Sequence, residues 1–139
     1  IFMSEKQETT APVAVIDHIA IFVSNLDRSA QFYKDILGLE EIPCPLVHRP
    51  IRWFSLGKGL SIHVIEGDNS HIRHDRQNHL ALQTDEFDLF LNHLKQYNIE
   101  YFDSKGNAGA VNQRRDGYRQ IFFQDPDGYW LEMNDVEIE

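Results

Sequence analysis

The sequence predicts an α+β fold: two βαβββ modules whose mixed β-sheets curl around a cup, with helices outside. Three observations predict it. Residues 16–40, IDHIAIFVSNLDRSAQFYKDILGLE, recur at 77–100 as QNHLALQTDEFDLFLNHLKQYNIE, with His18 falling on His79 at an offset of 79 − 18 = 61. A second pair, GLSIHV at 59–64 and GYWLEM at 128–133, sets a polar residue four positions after a glycine each time; these are His63 and Glu132, at an offset of 132 − 63 = 69. Between the pairs, apolar residues recur with the period of two that suits strands and then with the 3.6 that suits helices.

In order along the chain, residues 1–12 are mixed and polar and read as a disordered tail, with Ile1 and Phe2 standing ahead of Met3. One domain is expected over 13–139, its modules spanning about 15–66 and 78–135. A strand is predicted at 15–23. A helix follows at 25–37, because Leu26, Ala30, Tyr33 and Leu37 keep helical spacing and Gly38 offers a stop. Strands are then predicted at 39–43, 50–56 and 60–66. Residues 67–77 read as a hinge. The order repeats as a strand at 78–84, a helix at 86–97 striped by Phe87, Phe90, Leu91, Leu94 and Tyr97, and strands at 100–103, 118–124 and 129–135. The Gly/Asn/Arg-rich stretch at 104–117 reads as a long loop.

Side chains alternate faces along a strand. In four of the predicted strands one face is aliphatic and suits packing under a helix. The other carries His18, His63, His79 or Glu132 among small, aromatic and amide residues. A lone strand histidine is ordinarily a hydrogen-bonded structural residue. Here four polar residues hold repeat-related positions, and three imidazoles with one carboxylate suit a divalent first-row metal. His48, His71, His74 and His93 fall in loops or on a helix surface and are expected to be solvated.

Composition narrows the partners. The 139 residues are 42% hydrophobic and 25% charged, with a net charge of −9, which disfavours nucleic acid or an anionic membrane as partner. No apolar run is long enough to span a bilayer and the first residues carry no secretory pattern, so a cytoplasmic protein is expected. Cys44, between Pro43 and Pro45, is the single cysteine and forms no intrachain disulfide.

The opening DHIAIFVSNLDRSAQFYKDILGLE, the segment LSIHVIEG, the strand NHLALQT and the ending FFQDPDGYWLEMND resemble the conserved blocks of the vicinal-oxygen-chelate superfamily of glyoxalases, bleomycin-resistance proteins and extradiol dioxygenases. The DPDG turn is the most specific of these. The resemblance implies one divalent ion (zinc, nickel, manganese or iron) on His18, His79 and Glu132, with His63 where a fourth-strand ligand stands. Glyoxalase I has a second carboxylate there, so this chain departs from that pattern. Glu132 is implied as the catalytic carboxylate.

The resemblance further implies a small-molecule substrate with neighbouring oxygens. A glyoxalase-like lyase or isomerase is the first expectation and a ring-cleaving dioxygenase the second; a metal-free binding protein is the alternative outside enzymes. Arg52 and Arg119, among the arginines near predicted strand ends, could hold a substrate anion, although solvated surface arginines are the commoner case. Trp53, Phe122 and Trp130 could wall the cup, with core packing as the competing role. A homodimer is expected, with modules paired within one chain or swapped between two.

Overall fold

The computed structural model describes residues 11–139; the tail expected over 1–12 lies outside them except for Ala11 and Pro12. The first module comprises β1 (His18–Val23), α1 (Leu26–Asp35), β2 (Glu41–Ile42), β3 (Ile51–Gly57) and β4 (Leu60–Glu66). The second comprises β5 (His79–Gln83), α2 (Phe87–Gln96), β6 (Tyr101–Phe102), β7 (Asn112–Gln113), β8 (Arg119–Gln124) and β9 (Trp130–Asn134). The expected elements are all present, most of them shorter by a residue or two at their ends. The added β7 sits within the stretch 104–117, whose composition predicts a loop. Its two amide residues carry no hydrophobic alternation and are strand only because β8 pairs with them.

The start of α1 and the ends of both helices follow the sequence, whereas Glu86 at the start of α2 makes no side-chain cap. Asn25 caps α1 by accepting from the Arg28 amide at 3.0 Å, worth about 1 kcal/mol. Past the helix ends the chain turns through the left-handed region, at Gly38 with φ 68° and at Asn98 with φ 57°. Each amphipathic helix buries its apolar side against the aliphatic faces of the strands. Val23, Tyr33, Phe54, Ile62, Val64, Leu94, Ile121, Phe123 and Leu131 belong to one core that runs through both modules. Phe123 of β8 marks the meeting point, since Phe32 of α1 and Phe90 of α2 both pack on it, at 6.5 and 5.6 Å between ring centres.

The sheets have matching topology. In the first, the strand order is β1-β4-β3-β2; in the second it is β5-β9-β8-β6, with β7 also on β8. β1 runs parallel to β4 and β5 parallel to β9, and the remaining pairs are antiparallel. Even the registers correspond: Ala20 pairs with His63, and Ala81 with Glu132. The two sheets do not close into a barrel within the chain, and β1 and β5 are edge strands.

One corner locks the modules together. The DPDG turn between β8 and β9 docks on the end of β1 and the start of α1. Asp127 accepts from the Ser24 amide and the Asn69 side chain at 3.0 and 2.9 Å. The Tyr129 hydroxyl meets both the amide and the carbonyl of Phe22, and buried Tyr33 donates to Asp125 at 2.7 Å. Burial pushes the Tyr33 hydroxyl pKa well up, with the Asp125 charge adding to it. Gly67 sits here because a Cβ would come within 2.3 Å of the Phe22 ring. The repeat-related corner, between the β3–β4 turn and the end of β5, is not locked. An apolar cleft of about 550 Å³ lies there, lined by Gly57, Lys58, Leu60, Leu82 and Gln83 among others.

Candidate metal centre

The second module supplies a preassembled pair. His79 is the first residue of β5, and Glu132 stands on the neighbouring strand β9 one pleat further on, on the same face. His79 Nδ1 lies 2.7 Å from the Arg76 carbonyl, which can only accept, so this nitrogen carries the ring proton. In the neutral ring, Nε2 then presents a lone pair, and it faces Glu132 Oε1 at 3.1 Å. A lone pair opposed to a carboxylate is repulsive unless a second ring proton or a cation joins them. The other oxygen of Glu132 accepts from the Asn134 amide at 2.8 Å, which fixes the carboxylate's plane. Its side chain is only 8% exposed, against 25% for His79.

The first module supplies a different arrangement at the matching positions. His18 Nδ1 lies 2.7 Å from the Asp17 carboxylate, which again leaves Nε2 as the free nitrogen. Its ring stacks on His63 at 4.0 Å between centres, and His63 stacks in turn on Trp53 at 3.9 Å. His63 Nε2 is 3.0 Å from the Ser61 hydroxyl. Burial, followed by the nearby His18 charge, holds the His63 imidazole below its usual pKa.

Of the four residues expected at the ion, the chain therefore brings together His79 with Glu132, and His18 with His63. Among the described residues no three His, Cys, Asp or Glu side chains gather closely enough to hold one ion. The donor chemistry of each pair fits a divalent metal, because each offers an imidazole Nε2 whose Nδ1 is already engaged.

The aromatic expectations divide by face. Trp53 is on the histidine face. Phe122 lies there too, edge-on to His79 at 5.2 Å, and Trp130 meets Phe102 at 5.8 Å. Neighbouring Phe54 and Phe123 point the other way and are fully buried. The arginines fall on the helix face. Arg52 is in register with buried Val64 and is held by Glu41 at 2.7 Å and by Asp27 at 3.3 Å. Arg119 reaches Asp135 and Asp88 and lies over the Phe87 ring. Each ties a strand to the first turn of its module's helix. Strand alternation separates them from the site, because Arg52 adjoins Trp53 and Arg119 stands three residues before Phe122, each therefore on the opposite face.

Other residues that shape the site went unmarked. Asp17 was legible as the residue before His18, and Asn134 as the same-face neighbour of Glu132. The Arg76 carbonyl left no signal, since any residue supplies one. His74, expected in solvent, is instead half-buried and lies edge-on to Tyr129 at the locked corner, while His71 beside Phe22 is exposed as expected.

A sequence model described as the Glyoxalase/Bleomycin resistance protein/Dioxygenase superfamily matches residues 15–133. The chain is 30% identical over 129 residues to the metallothiol transferase FosB of Staphylococcus haemolyticus, covering 89% of this chain and 85% of that protein. It is 25% identical over 136 residues to the fosfomycin resistance protein FosX of Listeria monocytogenes, covering 91% and 93%. A crystal structure of that FosX superposes with a TM-score of 0.71 over 91% of this chain and 97% of the other. The structure of oxidase ChaP-H1, 24% identical, shares the fold with a TM-score of 0.74 over 90% and 98%. By the matched model and these relatives, the chain belongs to the glyoxalase, bleomycin resistance protein and dioxygenase superfamily, which is also called the vicinal-oxygen-chelate superfamily.

Proposed function

We propose that the protein is a metal-dependent enzyme acting on a small molecule with adjacent oxygens, by glyoxalase-like lyase or isomerase chemistry. The observation that carries this is the 3.1 Å approach of His79 Nε2 to Glu132 Oε1 with Nδ1 already held by the Arg76 carbonyl, an arrangement in which a divalent cation could sit between the two donors. His18, His79 and Glu132 are the proposed ligands of one zinc, nickel, manganese or iron ion. His63, the fourth residue expected there, is proposed to stand beside the ion, because both of its ring faces and its Nε2 are already engaged. When bound, the ion would act as a Lewis acid toward the paired oxygens. The chain's own part is to hold both imidazoles by their Nδ1 atoms, to wall off water with Trp53, Phe122 and Trp130, and to move a proton through Glu132.

The two half-sites of one chain lie apart, which supports a homodimer with swapped modules. His18 and His63 of one subunit would then face His79 and Glu132 of the other. The edge strands β1 and β5 are available for that contact. No helix among the described residues is long and apolar enough to cross a membrane, and a cytoplasmic setting is part of the proposal.

A ring-cleaving dioxygenase using iron or manganese is the second reading. It is favoured by the presence of His63 at the position where the glyoxalase I pattern has a second carboxylate. The deciding experiment has two parts. Metal analysis and sedimentation should find an ion bound to a dimer; a monomer that keeps its metal overturns the swapped site, and a metal-free dimer favours a binding protein. Turnover of hemithioacetal and catechol substrates is then followed without oxygen. Lyase chemistry continues under those conditions, and dioxygenase chemistry stops.

A further inference from the structure

The histidine face of the second sheet carries a second row of side chains beyond Glu132. Gln83, Asn134, Gln120 and Asn112 are successive register partners across β5, β9, β8 and β7. They stand one pleat, about 7 Å, from the row of Ala81, Glu132 and Phe122. All four are amides, and the row contains no charge. It opens at its Asn112–Gln120 end into a shallow depression that Arg114, Arg115 and Asp116 also line.

Hydrogen bonds give this row a direction. The Ser104 hydroxyl donates to Asn112 Oδ1 at 2.5 Å, and Asn112 Nδ2 donates to Gln120 Oε1 at 2.8 Å. The relay occupies the acceptor of Gln120 and leaves its amide nitrogen as a donor. Nothing among the described residues accepts from that nitrogen. Asn134 is spoken for, since it donates to Glu132 and accepts from the Val136 amide. The cation nearest in sequence, Arg119, is on the opposite face and neutralised, and Arg114 is paired with Asp116, which leaves Arg115, on the loop beyond the row, as the one competing cation of the depression among the described residues.

We propose that this amide row is a substrate subsite, in which Gln120, aimed by Asn112 and Ser104, donates to an uncharged oxygen acceptor carried beyond the chelated oxygens. The inference rests on the metal reading above and adds the substrate's chemical class. The extension it selects is neutral and carbonyl-like, not anionic. An unoriented glutamine would offer donor and acceptor alike; the bond from Asn112 turns the Gln120 carbonyl inward.

The test uses zinc-loaded protein and acetohydroxamate, which chelates through adjacent oxygens, together with two analogues extended by the same alkyl chain. One analogue ends in a methyl ketone and the other in a carboxylate, and affinities are measured by calorimetry. The ketone should bind about tenfold more tightly than the parent, as one added hydrogen bond allows, and the carboxylate no more tightly than the parent. Gln120→Met should erase the ketone's gain while leaving zinc content and acetohydroxamate affinity unchanged. Asn112→Asp should erase it too, because the new carboxylate accepts from Gln120 and turns the amide around. A ketone gain that survives Gln120→Met overturns the proposal, and so does a carboxylate preference that Arg115→Ala abolishes. If acetohydroxamate binds equally with and without zinc, the metal reading itself fails and the subsite falls with it.

Discussion

The two modules share strand order and register yet build opposite half-sites. In the second, His79 and Glu132 are turned toward each other, partly buried, and each is held from behind by an amide or a carbonyl. In the first, His18 is 43% exposed and rests on a stack of rings, with an open Asp17 behind it. The difference lies in single residues at matching positions. Where one β-strand has Glu132 the other has His63, and where one has Phe122 the other has Trp53. A carboxylate pairs with its imidazole neighbour through an edge, whereas a flat neutral ring pairs through a face. The same frame therefore yields one half with a carboxylate beside its imidazole and another with its imidazoles held in a stack.

The largest expected effect tests that division directly. Glu132→Ala should weaken zinc binding by more than about 100-fold, since it removes the one anionic donor. His63→Phe, which keeps the stack, should weaken it by less than about threefold, because second-shell support survives. Competition titration against a chromophoric chelator reads both variants. Equal losses would make His63 a ligand and erase the distinction drawn between the halves.

A smaller effect is expected from Asp17→Asn. The amide can still accept from His18 Nδ1 but no longer supplies a charge behind the imidazole. About a tenfold loss of zinc affinity is expected, at the low end for such supports because Asp17 is 88% exposed. No change in the same titration would mean that the first half-site tolerates any neighbour.

The smallest effect concerns the locked corner. Burial opposes ionisation of Asp127, but the hydrogen bonds from Ser24 and Asn69 and the Arg28 charge outweigh it and hold the carboxyl below its usual range. A depressed carboxylate contributes stability that is present above its unfolded pKa and lost as pH falls through the folded value. Asp127→Asn should therefore cost about 1 kcal/mol near neutrality and flatten the loss of thermal stability between about pH 5 and 2. A variant whose acid profile matches the parent would show that the corner does not depend on this charge.

Much of this was legible in the sequence, for identifiable reasons. The repeat exposed His18, His79 and the His63/Glu132 correspondence, because periodicity and offset are properties of one chain read in order. The helix stops at Gly38 and Asn98 were legible as residues that tolerate left-handed backbone. Alternation also sets Arg52 opposite Trp53 and Arg119 opposite Phe122, but the acidic partners that hold these arginines were not legible, because they lie on other elements. The bonds of Tyr33 to Asp125 and of Phe22 to Tyr129 were out of reach as well, since they join residues 92 and 107 positions apart. The amide row needed three registers at once before it could be seen as a row.

The unequal corners have a mechanical meaning. Asp127 and Tyr129 make one corner a pin, and the matching corner at Leu60 and Gln83 is a gap. The modules also share the core around Phe123, so the side left open is the one between β1 and β5. Whatever fills that cleft meets aliphatic side chains together with His18 and Gln83, so the apolar lining reaches the edge of one half-site.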